Sequence, residues 1–257
     1  MLFRSNKQVH GNYVEMTGLL RNETHGEELP VAWLYPKQWN GRAVVWLDDS
    51  GKAALFNADG SVKPEVKSLV DSGATVLGAD LLFQGEFTKD GQAAKQNRVV
   101  ANPREFAGYT YGYNHALFAQ RAHDVLTLVK YLRSYETNPN HPAPKSVDVA
   151  GFGGTGPIVA AARAVARGAI DHAAVETGGF RFGKLTDYRD VSFLPGGAKY
   201  GDVPGLLALN APGKLWVGGE TAPALTSKLY SAANAAGSLT AAAKTDRAAA
   251  AKWLLAQ

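Results

Sequence analysis

Cysteine is absent from all 257 residues. Disulfide bonds, thiolate catalysis and cysteine metal sites are therefore excluded. No apolar stretch reaches the roughly 18 residues a membrane helix needs, so no membrane segment is expected. Lysine and arginine number 27 against 23 acids, a net charge of +4, yet they form no run or stripe. Such scatter describes a mildly basic surface and speaks against a nucleic-acid partner. The opening MLFRSNKQVHGNYVE has neither an apolar core nor a cleavage-site pattern, and does not read as a signal peptide. Histidine is scarce and unevenly placed. The six are His10, His25, His115, His123, His141 and His172, so none follows residue 172. No spacing of His, Asp and Glu resembles a metal site, and no cofactor is expected.

The apolar residues come in short runs between Gly, Pro and polar stretches, which is globular composition. Residues 12–20 and 28–36 read as two strands joined by a polar turn. Pro30 suggests that the second strand begins irregularly or lies at an edge. Residues 43–47 (AVVWL) and 75–82 (TVLGADLL) read as strands buried on both faces. Between them, residues 64–72 have helix spacing, with Pro64 near the start and Gly73 as a stop. Residues 83–112 have no strong period and form a long connection. Residues 114–134 carry one apolar helix face through Phe118, Ala122, Val125, Val129 and Leu132.

Further strands are expected at 146–151, 172–176, 214–218 and 238–243. Helices are expected at 156–166, 223–235 and 247–255, the last capped by Asp246. Two strands followed by repeated strand–helix units indicate an α/β fold with a mostly parallel sheet. Ligands then meet the carboxyl ends of the strands. No repeat or linker interrupts the chain, so 1–257 reads as a single domain, with 179–210 as an irregular insertion.

Eight strands in this spacing resemble the α/β-hydrolase fold: a mostly parallel, eight-stranded central sheet flanked by helices. Four stretches resemble a narrower group, the acetylxylan-esterase-like α/β-hydrolases of environmental bacteria. They are WLDDSGKAALF (46–56), GADLLFQGEF (78–87), TYGYNHALFAQRAHDVLTLVKYL (110–132), and GGFRFGKL with FLPGGAKYGDVPGLLALNAPGKLWV (within 178–217). This resemblance implies esterase chemistry on acylated sugars. It also implies that a degenerate domain of this kind can accompany a second, intact one.

The resemblance places the nucleophile turn, G-x-S-x-G, at VDVAGFGGTGP, residues 147–157. Gly151 fits the first glycine. Gly153 stands in the serine slot and Thr155 in the last glycine slot. Glycine has no side chain to attack with. Thr155 is a weak substitute, because no general base is near in sequence and its hydroxyl fits a helix cap. The triad histidine would follow 238–243, where there is none. Glu220 fits the acid slot but has no histidine to orient; a loop carboxylate or helix N-terminal charge is the alternative. Glu176 ends the preceding strand and also faces the carboxyl edge.

The loop LDDSGK (47–52) matches the oxyanion region, whose backbone donors act together with those after Gly153. Asp48 and Asp49 would repel an anion there. Ser50 is a displaced hydroxyl or simply a turn residue before Gly51. His115 opens a helix beside the long connection and is the histidine best placed to revive a displaced triad.

Asp80 and Glu86 form a conceivable carboxylate pair, with Asp80 better suited to holding its loop by accepting backbone hydrogen bonds. His123 and Asp124 are neighbours on a helix, pointing about 100° apart. GFGGTG lacks the context of a dinucleotide turn. Tyr109, Tyr111 and Tyr113 alternate beside the loop, either as a sugar-stacking surface or as rings that pin the loop.

Three readings follow. The first is an esterase-like domain without its triad, acting as a degenerate binding or accessory domain. The second is an active acetyl-ester hydrolase with a displaced nucleophile, from Thr155, Ser50, His115 and Glu220. The third is a carbohydrate-binding module. The expected pocket comprises Gly153, Gly154, Asp49, Glu176 and Tyr113. The expected partners are a sugar or acyl ester ligand, or a companion hydrolase domain.

Overall fold

The computed structural model describes residues 2–97, 106–134 and 142–257. His141 and part of the long connection lie outside the described residues. Strands Leu2–Val9 (β1), Tyr13–Asn22 (β2) and Glu27–Pro36 (β3) form an antiparallel meander. There follow Arg42–Leu47 (β4), helix Pro64–Asp71 (α1), Thr75–Ala79 (β5), and helices Ala107–Tyr113 (α2) and Leu117–Arg133 (α3). The chain continues through Ser146–Gly151 (β6), Thr155–Ala166 (α4), His172–Glu176 (β7), Asp202–Ala208 (α5), Leu215–Gly218 (β8), Ala224–Ala232 (α6), Leu239–Ala242 (β9) and Arg247–Leu255 (α7).

One nine-stranded sheet runs β1-β2-β3-β5-β4-β6-β7-β8-β9. From β5 through β9 every neighbouring pair is parallel, and β3 joins antiparallel to β5. This is the α/β-hydrolase arrangement. Alternation along the strands supplies both cores. Val45, Leu77, Val149, Val175 and Val217 pack on one face with Phe118, Val125 and Leu128 of α3 and Ile158 and Val159 of α4. Val44, Trp46, Val76, Ala150, Ala174 and Trp216 pack on the other, against Val66 and Leu69 of α1 and Leu254 of α7. Asp246 caps α7 by accepting the Ala249 N–H at 2.9 Å.

Four expectations need correction. The sheet has nine strands, because β1 pairs along its length with β2. Its sequence, LFRSNKQV, has no apolar alternation, which suits a charged edge strand. Pro30 is not at an edge, since β3 lies between β2 and β5. The Pro30 carbonyl accepts the Asp80 N–H at 2.9 Å. A strand residue turns its N and C=O to one side, so the missing donor falls where the β3–β5 ladder ends. The long connection holds α2, and the insertion holds α5, so neither is wholly irregular.

Candidate active site

Because β4, β6, β7, β8 and β9 run parallel, their carboxyl ends meet at one edge of the sheet. The loops leaving them carry Asp48 and Asp49, Gly153 and Gly154, Thr177, Glu220 and Thr245.

The elbow between β6 and α4 turns at Gly153, whose φ is +59°. A side chain there is strained. Gly156 lets α4 press against β7: a Cβ would lie 1.7 Å from the Glu176 carbonyl oxygen. Thr155 is fully buried. Its hydroxyl donates to the Phe152 carbonyl at 2.8 Å and accepts the Phe152 N–H at 3.0 Å. It does not cap α4, whose N-cap residue is Gly154 and has no side-chain cap. The hydroxyl instead braces the turn from inside, and both its donor and an acceptor position are engaged with backbone.

The space where a nucleophile would stand is taken by Asp49. A Cβ on Gly153 would lie 2.3 Å from Asp49 Oδ2. That same oxygen accepts the Gly154 N–H at 2.9 Å. In a hydrolase the residue after the nucleophile supplies an oxyanion donor. Here an internal carboxylate already holds that donor. Asp49 is exposed as a residue, but its carboxyl is turned in against the elbow. Loss of water there raises its pKa above the ordinary range. The Gly154 N–H opposes the rise, the neighbouring Asp48 adds to it, Arg121 opposes it and Glu176 adds to it.

The remaining acids are partnered. Buried Asp48 forms an ion pair with Arg247 at the start of α7, and the Arg247 guanidinium lies 5.4 Å from the Phe152 ring centroid. Glu220 accepts the Thr177 hydroxyl and a fork from Arg181, at 2.5 Å from Nη2 and 3.2 Å from Nη1. Glu176 Oε1 accepts the Thr245 hydroxyl at 3.1 Å, while its Oε2 is buried without a hydrogen bond.

The other expected residues do not converge here. Ser50 is exposed in an Asx turn, its N–H donating to Asp48 Oδ1 at 3.0 Å. It opens onto a separate concavity beside Lys52 and Asp80. Asp80 holds its loops, accepting the N–H groups of Lys52 and Glu86 at 2.9 and 3.0 Å and the Lys52 ammonium at 2.5 Å. Exposed His115 lines a different cleft with His25 and His123. Among the described residues no histidine hydrogen-bonds Thr155 or Ser50.

The tyrosines divide into two sets. The Tyr111 hydroxyl donates to the Tyr188 carbonyl at 2.5 Å, tying α2 to the insertion. Tyr109 packs edge-on to Phe106, and Tyr113 is 87% exposed. Tyr111 is thus turned away from the exposed pair Tyr109 and Tyr113, which lie one turn apart on α2.

Sequence reasoning missed Arg121, Arg181 and Arg247. The one available signal was position: Arg181 follows β7, and Arg247 follows the Asp246 cap where the triad-histidine loop ends. Among the described residues no group of three or more His, Cys, Asp or Glu is arranged for a metal ion, and no helix is long and apolar enough to cross a membrane.

No protein-family model and no curated relative matches the sequence. Solved structures do match in fold. A candidate acetyl xylan esterase from Bacteroides fragilis aligns over 94% of this chain and 69% of its own, with a TM-score of 0.65 and 12% identity. A glucuronoyl esterase from Solibacter usitatus aligns over 98% and 85%, with a TM-score of 0.58 and 12% identity. Acetyl xylan esterase 1 from a Thermoanaerobacterium species aligns over 95% and 79%, with a TM-score of 0.54 and 15% identity. At these identities the likeness shows the α/β-hydrolase fold.

Proposed function

We propose that this chain is an esterase-like α/β-hydrolase domain that has lost ester hydrolysis and serves as a binding or accessory domain. One observation carries the reading: the Asp49 carboxylate fills the nucleophile position over Gly153 and occupies the Gly154 N–H. An acyl-enzyme needs a free hydroxyl, a base beside it and an open oxyanion donor. Each requirement fails on a named residue. Thr155 is buried and bonded to backbone, no described histidine reaches it, and Asp49 holds the donor.

The esterase neighbours supply the ligand class by analogy of fold alone: an acylated sugar, or a companion hydrolase domain that presents one. The carbohydrate-module reading keeps only Tyr109 and Tyr113, because the Tyr111 hydroxyl is tied to the insertion. The displaced-nucleophile reading has an exposed residue in Ser50, but its hydroxyl hydrogen-bonds no described residue that could activate it.

The test is covalent labelling. Diethyl 4-nitrophenyl phosphate phosphorylates an activated serine or threonine, and intact mass reports the adduct. The expected result is an unchanged mass. A single diethylphosphoryl adduct mapped to Ser50 or Thr155 would overturn the reading.

A further inference from the structure

A further concavity opens between the β2–β3 turn, the segment after β5 and the first turns of α3. It encloses about 650 Å³. Leu29, Leu82, Phe87 and Ala119 give it apolar walls. Asp124 stands in it as a carboxylate only 6% exposed. Its Oδ2 accepts the Leu82 N–H at 2.8 Å. Its Oδ1 has no hydrogen bond, although the residue lines the cavity. That oxygen is open to the cleft rather than sealed from it, so an entering donor can reach it.

The groups facing Asp124 do not neutralise it. On its own helix, Arg121 turns its guanidinium to the carbonyls of Leu82 and Phe83, at 2.9 and 3.4 Å. His123 pairs instead with Glu27, Nδ1 to Oε1 at 3.2 Å, and stands edge-on to His25. From β3, Glu27 and Glu28 add negative charge at the rim, with Glu28 partly offset by Arg21. His115 completes the facing groups from the start of the α3 segment. Burial pushes the Asp124 carboxyl up to about 7, opposed by the Leu82 N–H, reinforced by Glu27 and opposed by Arg121. The cleft is thus apolar in its walls and anionic in its depth.

We propose that this cleft binds a small organic cation, an ammonium group on an apolar body, with Asp124 Oδ1 accepting from the ammonium. The bare oxygen selects a donor. The surplus of carboxylates selects positive charge. Leu29, Leu82 and Phe87 select an apolar body. This site is distinct from the elbow and does not depend on whether the elbow is inert.

The probe is benzylammonium, with benzyl alcohol and benzoate as uncharged and anionic controls, titrated into the whole protein at pH 8 by calorimetry. Benzylammonium is expected to bind saturably, about tenfold more tightly than benzyl alcohol, as a charge-assisted bond requires. Asp124→Asn should weaken it by about the same factor. Ala119→Phe, at an exposed wall position, should abolish binding by filling the cleft without touching the buried carboxyl. Asp49→Asn, at the carboxyl that holds the Gly154 N–H over the elbow, should leave binding unchanged. Lowering the pH from 8 to 6 should weaken binding as Asp124 takes up a proton. No saturable binding, equal binding of benzoate, wild-type binding by Ala119→Phe, or loss of binding with Asp49→Asn would each overturn the proposal.

Discussion

Asp49 Oδ2 accepts the Gly154 N–H at 2.9 Å from directly over Gly153. The two residues lie 105 positions apart in sequence. They meet because β4 and β6 are adjacent parallel strands and their following turns share the sheet's carboxyl edge. An N–H that would stabilise a developing oxyanion is spent on a resident carboxylate.

Gly153→Ser is expected to destabilise the fold and to gain no activity. Holding a non-glycine residue at φ +59° costs about 1–3 kcal/mol, and the new Cβ must also displace Asp49. A denaturant midpoint below wild type with an unchanged slope is the expected readout. Adding Asp49→Gly should recover part of the loss by removing the clash. A single variant as stable as wild type would show that Asp49 is not fixed over the elbow.

Asp124 carries a pH signature. Its carboxyl stands near 7 in the folded chain, against an ordinary value of 3.8. Between those values the folded protein holds a proton that the unfolded chain has released. Its contribution to stability therefore falls as pH rises from about 4 to 7, then levels off. Asparagine can still accept the Leu82 N–H but does not titrate. Asp124→Asn should flatten this decline and be more stable than wild type at pH 8. Unfolding midpoints of both proteins from pH 4 to 8 measure the difference. Parallel curves would contradict the assignment.

Much of this fold can be read from periodicity. Runs such as AVVWL and TVLGA state that both faces are buried, and each became an interior strand with residues in both cores. LFRSNKQV carried no such signal, because an edge strand owes its pairing to backbone rather than to apolar side chains. At the elbow, the missing serine and the missing late histidine are visible as letters. The carboxylate over Gly153 is not, since it depends on which neighbouring turns face each other. The pairings Asp48–Arg247 and Glu220–Arg181 escape for the same reason. Alternating tyrosines at 109, 111 and 113 suggested one surface. On the helix α2 that spacing turns Tyr111 away, while Tyr109 and Tyr113 lie one turn apart.

Thr155→Val should cost about 1–2 kcal/mol, because it removes a buried hydroxyl and leaves the Phe152 carbonyl without that donor. Thr155→Ser keeps the bonding groups and should fall nearer wild type. Neither should change reactivity toward esters. Equilibrium unfolding of the three proteins separates the cases. A serine variant that gained ester turnover would mean that this hydroxyl can reach a substrate.

Turnover decides whether the elbow is inert. The measurement is hydrolysis of 4-nitrophenyl acetate and of acetylated xylo-oligosaccharides by the unmodified chain, with Asp49→Asn, Ser50→Ala and Thr155→Ala in parallel. Release of acetate from the sugar ester is expected to be no faster than in buffer, and the rate the same in all four proteins. Robust hydrolysis by the unmodified chain, abolished by one of the three substitutions, would contradict this expectation and would name the group that acts.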